Sequence, residues 1–382
     1  MFTLDTVLIR YGEVTLKARW TRKSWERLLT SNISLALRQS GVGYALSRDG
    51  GRIFVQTDDE EAARKAAFLI AQVFGVVSTS PVYTVEPDIL KVSDLASELA
   101  ASLGPTSFAI RSRRSGGDIS STRLAVDVGS AVKERTGASV DLEDPLLEIF
   151  IEARRDRILV FTEVIKGVGG LPLGSQARML ALVSGGIDSP VAAWMMMRRG
   201  CPVSLLHFDA RPYMLSSSQA ERSAEILKRW STGRKIPLVR VPIGRGIEAI
   251  SSSYPRETCI LCRRLMYRVA GLLMEEERAA GVVTGYSLGQ VASQTPENIR
   301  AEEAGIDIPV YHPLIAMDKS EIMDAARRIG TLQVTEEAGS CTAAPRKPIT
   351  KAKLWEILEA DLELGLSGMA RELFEKRERI VV

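Results

Sequence analysis

Histidine is almost missing from this chain: only His207 and His312 occur in 382 residues. A zinc centre built on several imidazoles has no raw material here, and a serine–histidine–aspartate triad has few places to draw its base from. Cysteine is scarce too, with four residues, too few for a disulfide scaffold at this length. In a reducing compartment paired cysteines point instead to metal or sulfur chemistry. No apolar run approaches the ~20 residues of a membrane span. The N-terminal stretch MFTLDTVLIRYGEVTLK carries charges where a secretion signal would be apolar, so a cytoplasmic location with no membrane partner is expected. Internal repeats and low-complexity tracts are missing as well. Neither sign of charge dominates: 50 basic and 47 acidic residues leave a net charge of +3, which permits an anionic partner without requiring one.

What is present is enough apolar material, 45% of residues, to offset chain entropy without staples. The length exceeds what one core fills, so several domains are expected. Residues 1–60 read as a small α+β unit: strand TVLIRY, a basic helix from Lys17 to about Gln39, and strands around Tyr44–Ser47 and Arg52–Val55 joined by the turn Asp49-Gly50-Gly51. Residues 61–165 restart the pattern. A helix EEAARKAAFLIAQVF leads to strand VVSTSPVYTV, a helix near Ile89–Leu103, strand SFAIRSR, a helix around Thr122–Arg135, and strands at Leu147–Ala153 and Arg157–Glu163. Residues 166–178, KGVGGLPLGSQAR, are rich in Gly and Pro and lack periodicity, which makes them the expected linker. From 179 to 382 apolar strands alternate with helices, as in MLALV, VAAWMMMRR and VSLLHF, then LVRVPI, a helix from about Arg263 to Ala280, and VVTG. That alternation predicts a doubly wound parallel sheet.

The turn Ser184-Gly185-Gly186-Ile187-Asp188-Ser189 lies between the strand MLALV and a helix expected to open at Pro190. Adjacent glycines let several N–H groups converge at the positive end of a helix dipole, and the serines add hydroxyl donors, so the turn is a candidate anion site. It is neither a GxxxxGK[ST] loop nor a GxGxxG fingerprint. A carboxylate beside a triphosphate needs a cation, so Asp188 is expected to hold Mg²⁺. Lys319, at the head of a further helix in MDKSEI, is placed to stabilise charge as pyrophosphate departs.

SGGIDS is the signature of the pyrophosphatase-like (PP-loop) ATP-binding enzymes, which adenylate a substrate and release pyrophosphate. VGGLPLGSQARMLALVSGGIDSPVAAWMMMRRGC, TGYSLGQVASQTPENI and MDKSEI together resemble the tRNA sulfurtransferases that make 4-thiouridine, and IRYGEVTLK resembles their N-terminal ferredoxin-like domain. The motifs run in the family's order over nearly the whole chain. The resemblance implies an α/β multidomain protein: a ferredoxin-like α+β domain, a THUMP α+β domain that captures tRNA, and a C-terminal doubly wound PP-loop ATP pyrophosphatase domain.

For the nucleotide, ATP, it implies contacts from Leu182, Val183, Ser184, Gly185, Gly186, Asp188 and Ser189. His207, Phe208 and Gly285 would flank the adenine, and Arg263 and Gln294 also match. The implied reaction adenylates O4 of uridine 8 in tRNA, releases pyrophosphate, and exchanges the oxygen for sulfur with loss of AMP. Two positions depart from the family pattern: Tyr286 stands where an acid is usual in TGESLGQ, and His312 where an arginine usually precedes Pro-Leu. No rhodanese domain follows in the 382 residues, so the resemblance is to the rhodanese-lacking type. Sulfur is then expected from sulfide or from a cysteine desulfurase persulfide.

Cys259 and Cys262, expected just before the helix, and the distant Cys341 in GSCTAAPRKP make three thiols flanked by Arg256, Arg263, Arg264 and Arg346. These arginines are expected to lower the thiol pKa values. Three thiolates could hold an iron–sulfur cluster or a zinc with one open position, or two could cycle between dithiol and disulfide. The resemblance favours the cluster, with Cys341 also a catalytic candidate, while Cys201 is expected to be an inert core thiol. For RNA, strand alternation in SFAIRSRR places Arg111 and Arg113 on one face, with Arg114 and Arg123 nearby and the basic helix adding Lys17, Arg19, Arg22, Lys23 and Arg27. Homodimerisation is compatible with all of this. The alternative is a PP-loop enzyme that amidates or ligates a small molecule, which would need neither an RNA-capturing region nor three spaced cysteines. A non-catalytic RNA-binding protein would leave the SGGIDS turn and Lys319 without purpose.

Overall fold

The computed structural model describes residues 2–116, 119–335 and 341–380. They form two compact units, Met1–Gly170 and Leu171–Val382.

In the first unit the elements follow as β1 (Thr6–Tyr11), α1 (Arg19–Gln39), β2 (Ala45–Asp49), β3 (Arg52–Gln56), α2 (Glu60–Ala71), β4 (Val76–Val85), α3 (Ile89–Leu103), β5 (Ser107–Arg114), α4 (Ser121–Thr136), β6 (Ser139–Val140), β7 (Leu147–Ala153), β8 (Ile158–Phe161) and β9 (Ile165–Lys166). They build one sheet in the order β2-β3-β1-β4-β8-β7-β5-β6, with β9 also on β4. Helix α1 buries Leu29, Ile33 and Leu37, four residues apart on one face, and α2 buries Ala63, Ala66, Ala67 and Ile70. Both close on Val7, Ile9, Ile53 and Val55, each large side chain contributing about 1.5–3 kcal/mol by burial. The boundary expected after residue 60 therefore cuts through a core, because α2 belongs with β1 and α1. Strand β4 shows why the join is hard to divide: it pairs with β1 over Val76–Val82 and with β8 over Tyr83–Val85. One continuous strand carries both halves of the sheet. In the second half α3 and α4 cover Phe108, Ile149, Ile151 and Val160.

The second unit contains β10 (Met179–Val183), α5 (Asp188–Arg198), β11 (Val203–Asp209), α6 (Ser217–Trp230), β12 (Leu238–Pro242), α7 (Gly244–Ser253), α8 (Thr258–Glu277), β13 (Val282–Val283), α9 (Pro296–Glu303), β14 (Val310–Tyr311), α10 (Lys319–Ile329), α11 (Leu332–Thr335), α12 (Leu354–Glu363), α13 (Leu366–Glu375) and β15 (Glu378–Ile380). The sheet order is β14-β13-β10-β11-β12-β15; β15 is antiparallel to β12 and the other pairs are parallel. Every residue of β10 is buried, as a central parallel strand covered on both faces requires. The chain runs from β10 out to β11 and β12, then crosses back to β13 on the other side of β10. Open α/β sheets bind ligands at such a switch point, outside the carboxyl ends of the strands.

Candidate active site

The turn after β10 folds on itself through its serines. The Ser184 amide donates to Ser189 Oγ at 2.9 Å, the two hydroxyls lie 3.1 Å apart, and the Gly186 amide donates to Ser184 Oγ at 3.2 Å. Helix α5 opens at Asp188, two residues before the expected Pro190, and no side chain caps it. A proline is tolerated in this first turn because the N–H groups there have no intrahelical acceptor. The uncapped amides are thus available to an anion.

A cavity of 180 Å³ opens at this point. Leu182, Val183, Ser184, Gly186, Asp188 and Ser189 line it from β10 and α5, and His207 and Phe208 from the end of β11. Gly285 and Gln294 reach it from the segment after β13, and Arg263 from α8. Eleven of the twelve nucleotide residues expected from the sequence meet in this wall, and the twelfth, Gly185, lies in the turn between two of them. Sequence reasoning did not place Ala210, Met214, Met266, Thr284 or Tyr286 at the nucleotide. The first three complete the wall through tertiary placement and carry no motif, while Thr284 and Tyr286 lie in the TGYSLGQ motif, where Tyr286 showed only as a departure from the family pattern.

Several of these side chains have a definite local job. A Cβ on Gly285 would sit 2.8 Å from the backbone of Asp188 and Ser189, closer than real Cβ contacts come, so only glycine lets the β13 segment approach the phosphate turn. The buried His207 places Nδ1 3.0 Å from the Val183 carbonyl and Nε2 3.2 Å from the Ser217 hydroxyl. Burial lowers its pKa, so it is a neutral imidazole that donates to the carbonyl and accepts from the serine, and it serves as wall. Lys319 opens α10, whose N-terminus is fixed by a capping box between Asp318 and Glu321. Its Nζ lies 2.7 Å from Asp188 Oδ1, which joins two catalytic candidates 131 residues apart. No group of three or more carboxylates, histidines or cysteines gathers around Asp188 among the described residues. One carboxylate suits Mg²⁺, which keeps waters and takes further ligands from substrate phosphates.

The cysteines fall differently from expectation. Helix α8 begins at Thr258, so Cys259 and Cys262 lie inside its first turns, spaced to share one face. Cys341, after the undescribed residues 336–340, is close enough to influence both thiols electrostatically. The expected lowering of their pKa values is reversed. Burial raises both, Cys262 to about 12, and outweighs the opposing influence of Arg263. Arg264 is turned away, its Nε donating to buried Asp361 at 2.7 Å. The donor set fits a thiolate-held cluster in kind, although no three-ligand group is arranged for a metal among the described residues. Cys201 is buried.

In the first unit the expected basic face is largely paired. Arg111 Nε donates to Glu148 at 2.7 Å, Arg113 Nε to Glu152 at 2.8 Å, and Arg123 Nε to Asp127 at 3.2 Å. The carboxylates facing Arg111 and Arg113 stand on β7, paired with β5. A cavity of 540 Å³ beside them has Arg10, Arg111 and Arg113 over Phe150 and Phe161. These two rings stack at 5.2 Å, and Arg10 sits 4.9 Å from the Phe161 centroid. Neither Arg10 nor the aromatic pair was foreseen, since strands far apart in sequence bring them together. No helix among the described residues is long and apolar enough to cross a membrane.

Comparison with known proteins agrees with this layout. The ferredoxin-like domain of the ThiI family matches residues 6–80, a THUMP domain 87–163, and the thiamine biosynthesis protein (ThiI) family 174–366. The probable tRNA sulfurtransferase of Methanosarcina acetivorans is 42% identical over 379 residues, spanning 96% of this chain and 91% of the relative. That of Methanothermobacter thermautotrophicus is 38% identical, spanning 97% of each. The crystal structure of a 4-thiouridine synthetase–RNA complex with bound ATP aligns at a TM-score of 0.86 and 26% identity, with 99% of both chains covered. On its domain order, its cavity and these relatives, the chain belongs to the thiamine biosynthesis protein (ThiI) family of tRNA sulfurtransferases.

Proposed function

We propose that this protein is an ATP-dependent tRNA sulfurtransferase that converts uridine 8 of tRNA to 4-thiouridine. The observation that carries the reading is the meeting of the uncapped α5 N-terminus, Asp188 and Lys319 at the switch point of the sheet, in a chain whose relatives are named tRNA sulfurtransferases. The uracil O4 attacks the α-phosphorus of ATP, the bond to the β-phosphate breaks, and pyrophosphate leaves. The α5 amides and the Lys319 ammonium face the charge that grows on the departing group. Asp188 would hold Mg²⁺, which supplies charge neutralisation on the phosphates when bound. Hydrosulfide then adds to C4, loses its proton, and the C4–O bond breaks to release AMP. Where the terminal sulfur of a Cys341 persulfide adds instead, Cys259 or Cys262 then attacks the Cys341 sulfur, so that the S–S bond breaks to leave the thiocarbonyl and a disulfide between the two cysteines. Cys259, Cys262 and Cys341 are the residues that would hold an iron–sulfur cluster, and such a group would supply the sulfur at a position the protein leaves open. A persulfide on Cys341 is the second route. The first unit is assigned to tRNA, with Arg111, Arg113, Arg114 and Arg123 on its contact face.

The competing reading, a PP-loop enzyme acting on a small molecule, leaves the matched THUMP domain without a task. Labelled ATP distinguishes the two. Pyrophosphate and AMP formed only when tRNA is added support the sulfurtransferase; ADP as product, or turnover indifferent to tRNA, refutes it.

A further inference from the structure

The two positions where the sequence departs from the family pattern are one contact in the fold. The rings of Tyr286 and His312 stack at 5.0 Å, 8° from parallel. Their polar ends go to neighbouring residues of α9: Tyr286 Oη donates to Glu302 Oε2 at 2.5 Å, and His312 Nε2 lies 2.8 Å from Glu303 Oε1. Thr284 Oγ1 holds the other ring nitrogen of His312 at 2.5 Å. Tyr286 is thus immobilised at its face and at its hydroxyl. It is buried, 3% exposed, and it also lines the nucleotide cavity.

The neighbour that gains from this rigidity is Arg263. Its guanidinium lies 5.3 Å from the Tyr286 ring centroid, within cation–π range. Among the described residues it has no ion pair and no hydrogen bond. The acid that acts on it electrostatically, Glu302, is fully buried with Oε1 unpartnered. Burial raises Glu302 to about 8, which leaves it mostly protonated near neutrality. A carboxylate at position 286 would give Arg263 a fixed counter-ion, whereas a tyrosine gives it a surface and leaves its charge to spend elsewhere.

We propose that Tyr286 is a positioning residue: clamped by His312 and Glu302, its ring holds the Arg263 guanidinium in the cavity wall as an uncompensated cation for the anionic part of the nucleotide. The proposal rests on reading this cavity as the ATP site and adds to that reading how its arginine is aimed.

The test is a double-mutant cycle on the full chain, with ATP dissociation constants from calorimetry. Tyr286→Leu should weaken ATP about tenfold, and Tyr286→Phe, which keeps the ring, should lose about threefold at most. In an Arg263→Gln background, Tyr286→Leu should cost nothing further, because the residue it positions is gone. Tyr286→Met stands in if the leucine variant does not fold. A tyrosine acting only as structure would weaken binding equally in both backgrounds, and that result overturns the proposal, as does unchanged affinity in Tyr286→Leu. Wild-type protein that binds no ATP removes the reading of the cavity, and the proposal with it. That failure is seen before any variant is made.

Discussion

Glu302→Gln should stabilise the second unit at alkaline pH and leave it nearly unchanged in acid. Glu302 is 0% exposed. One carboxyl oxygen accepts from Tyr286 and the other has no partner. Burial is the main cause of its raised pKa, from an ordinary 4.5 to about 8; Glu303 adds to the rise, while Arg263, the Tyr286 hydroxyl and Arg264 oppose it. The sign follows from proton linkage. Between these two values the folded protein holds a proton that the unfolded chain has released, so stability falls as pH rises through the window, and the loss is complete above the folded value. At 1.36 kcal/mol per pH unit the ceiling is about 5 kcal/mol. Glutamine carries no charge to bury, keeps an oxygen for Tyr286, and leaves its amide as poorly partnered as the protonated acid was. Calorimetric melting across pH reads the difference. At about 2–4 °C per kcal/mol for a unit of this size, the variant should melt about 10 °C above wild type near pH 9 and within a few degrees of it near pH 5. Parallel pH profiles for the two proteins would show that Glu302 ionises normally in the folded state and would refute the reasoning.

Gly285→Ala should abolish 4-thiouridine formation and cost about 1–3 kcal/mol of stability, because its methyl meets the backbone at the start of α5; melting and thiolation assays check both. Arg111→Ala should weaken tRNA binding and shallow the salt dependence of log K by about one unit, and Glu148→Gln, which frees Arg111 from its 2.7 Å pair, should strengthen binding. Filter binding at several salt concentrations measures these effects. Alanine at Cys259, Cys262 or Cys341 should each remove iron and visible absorption from anaerobically purified protein, whereas Cys201→Ala, at a buried thiol, should change neither. Colourless, iron-free wild-type protein that thiolates tRNA when a cysteine desulfurase persulfide is the donor, and loses that activity in Cys341→Ala, would favour the Cys341 persulfide; iron-free thiolation with sulfide alone would favour direct attack by hydrosulfide.

Much of the site was legible because it is local. The strand MLALV, the turn after it and the helix that follows are contiguous, and their chemistry is carried by residue type and spacing alone. Strand Val76–Val85 and helix Ile89–Leu103 match the expected bounds for the same reason. What escaped depends on partners far apart in the chain. A row of arginines on β5 reads as free positive charge until β7 sets Glu148 and Glu152 beside it. The flanking arginines suggested acidic thiols, but burial and the turning of Arg264 toward Asp361 decide otherwise. The start of α8 was placed late because CILC carries no polar helix signal, while Ile260 and Leu261 are drawn into the core. Tyr286 was visible only as a departure from a pattern; that it stacks on His312 follows from two strands meeting across the sheet.

The central claim is that one cavity couples ATP cleavage at the α-phosphorus to sulfur insertion in tRNA. It is tested most directly by incubating the purified protein with ATP, Mg²⁺, sulfide and a tRNA carrying either uridine or cytidine at position 8, then digesting the RNA to nucleosides and counting AMP. The account predicts 4-thiouridine and AMP in equal amounts with the uridine tRNA. It predicts no 4-thiouridine with the cytidine tRNA or with Asp188→Ala, although the variant still binds tRNA. Thiolation that continues in Asp188→Ala, or that proceeds without AMP, would contradict it.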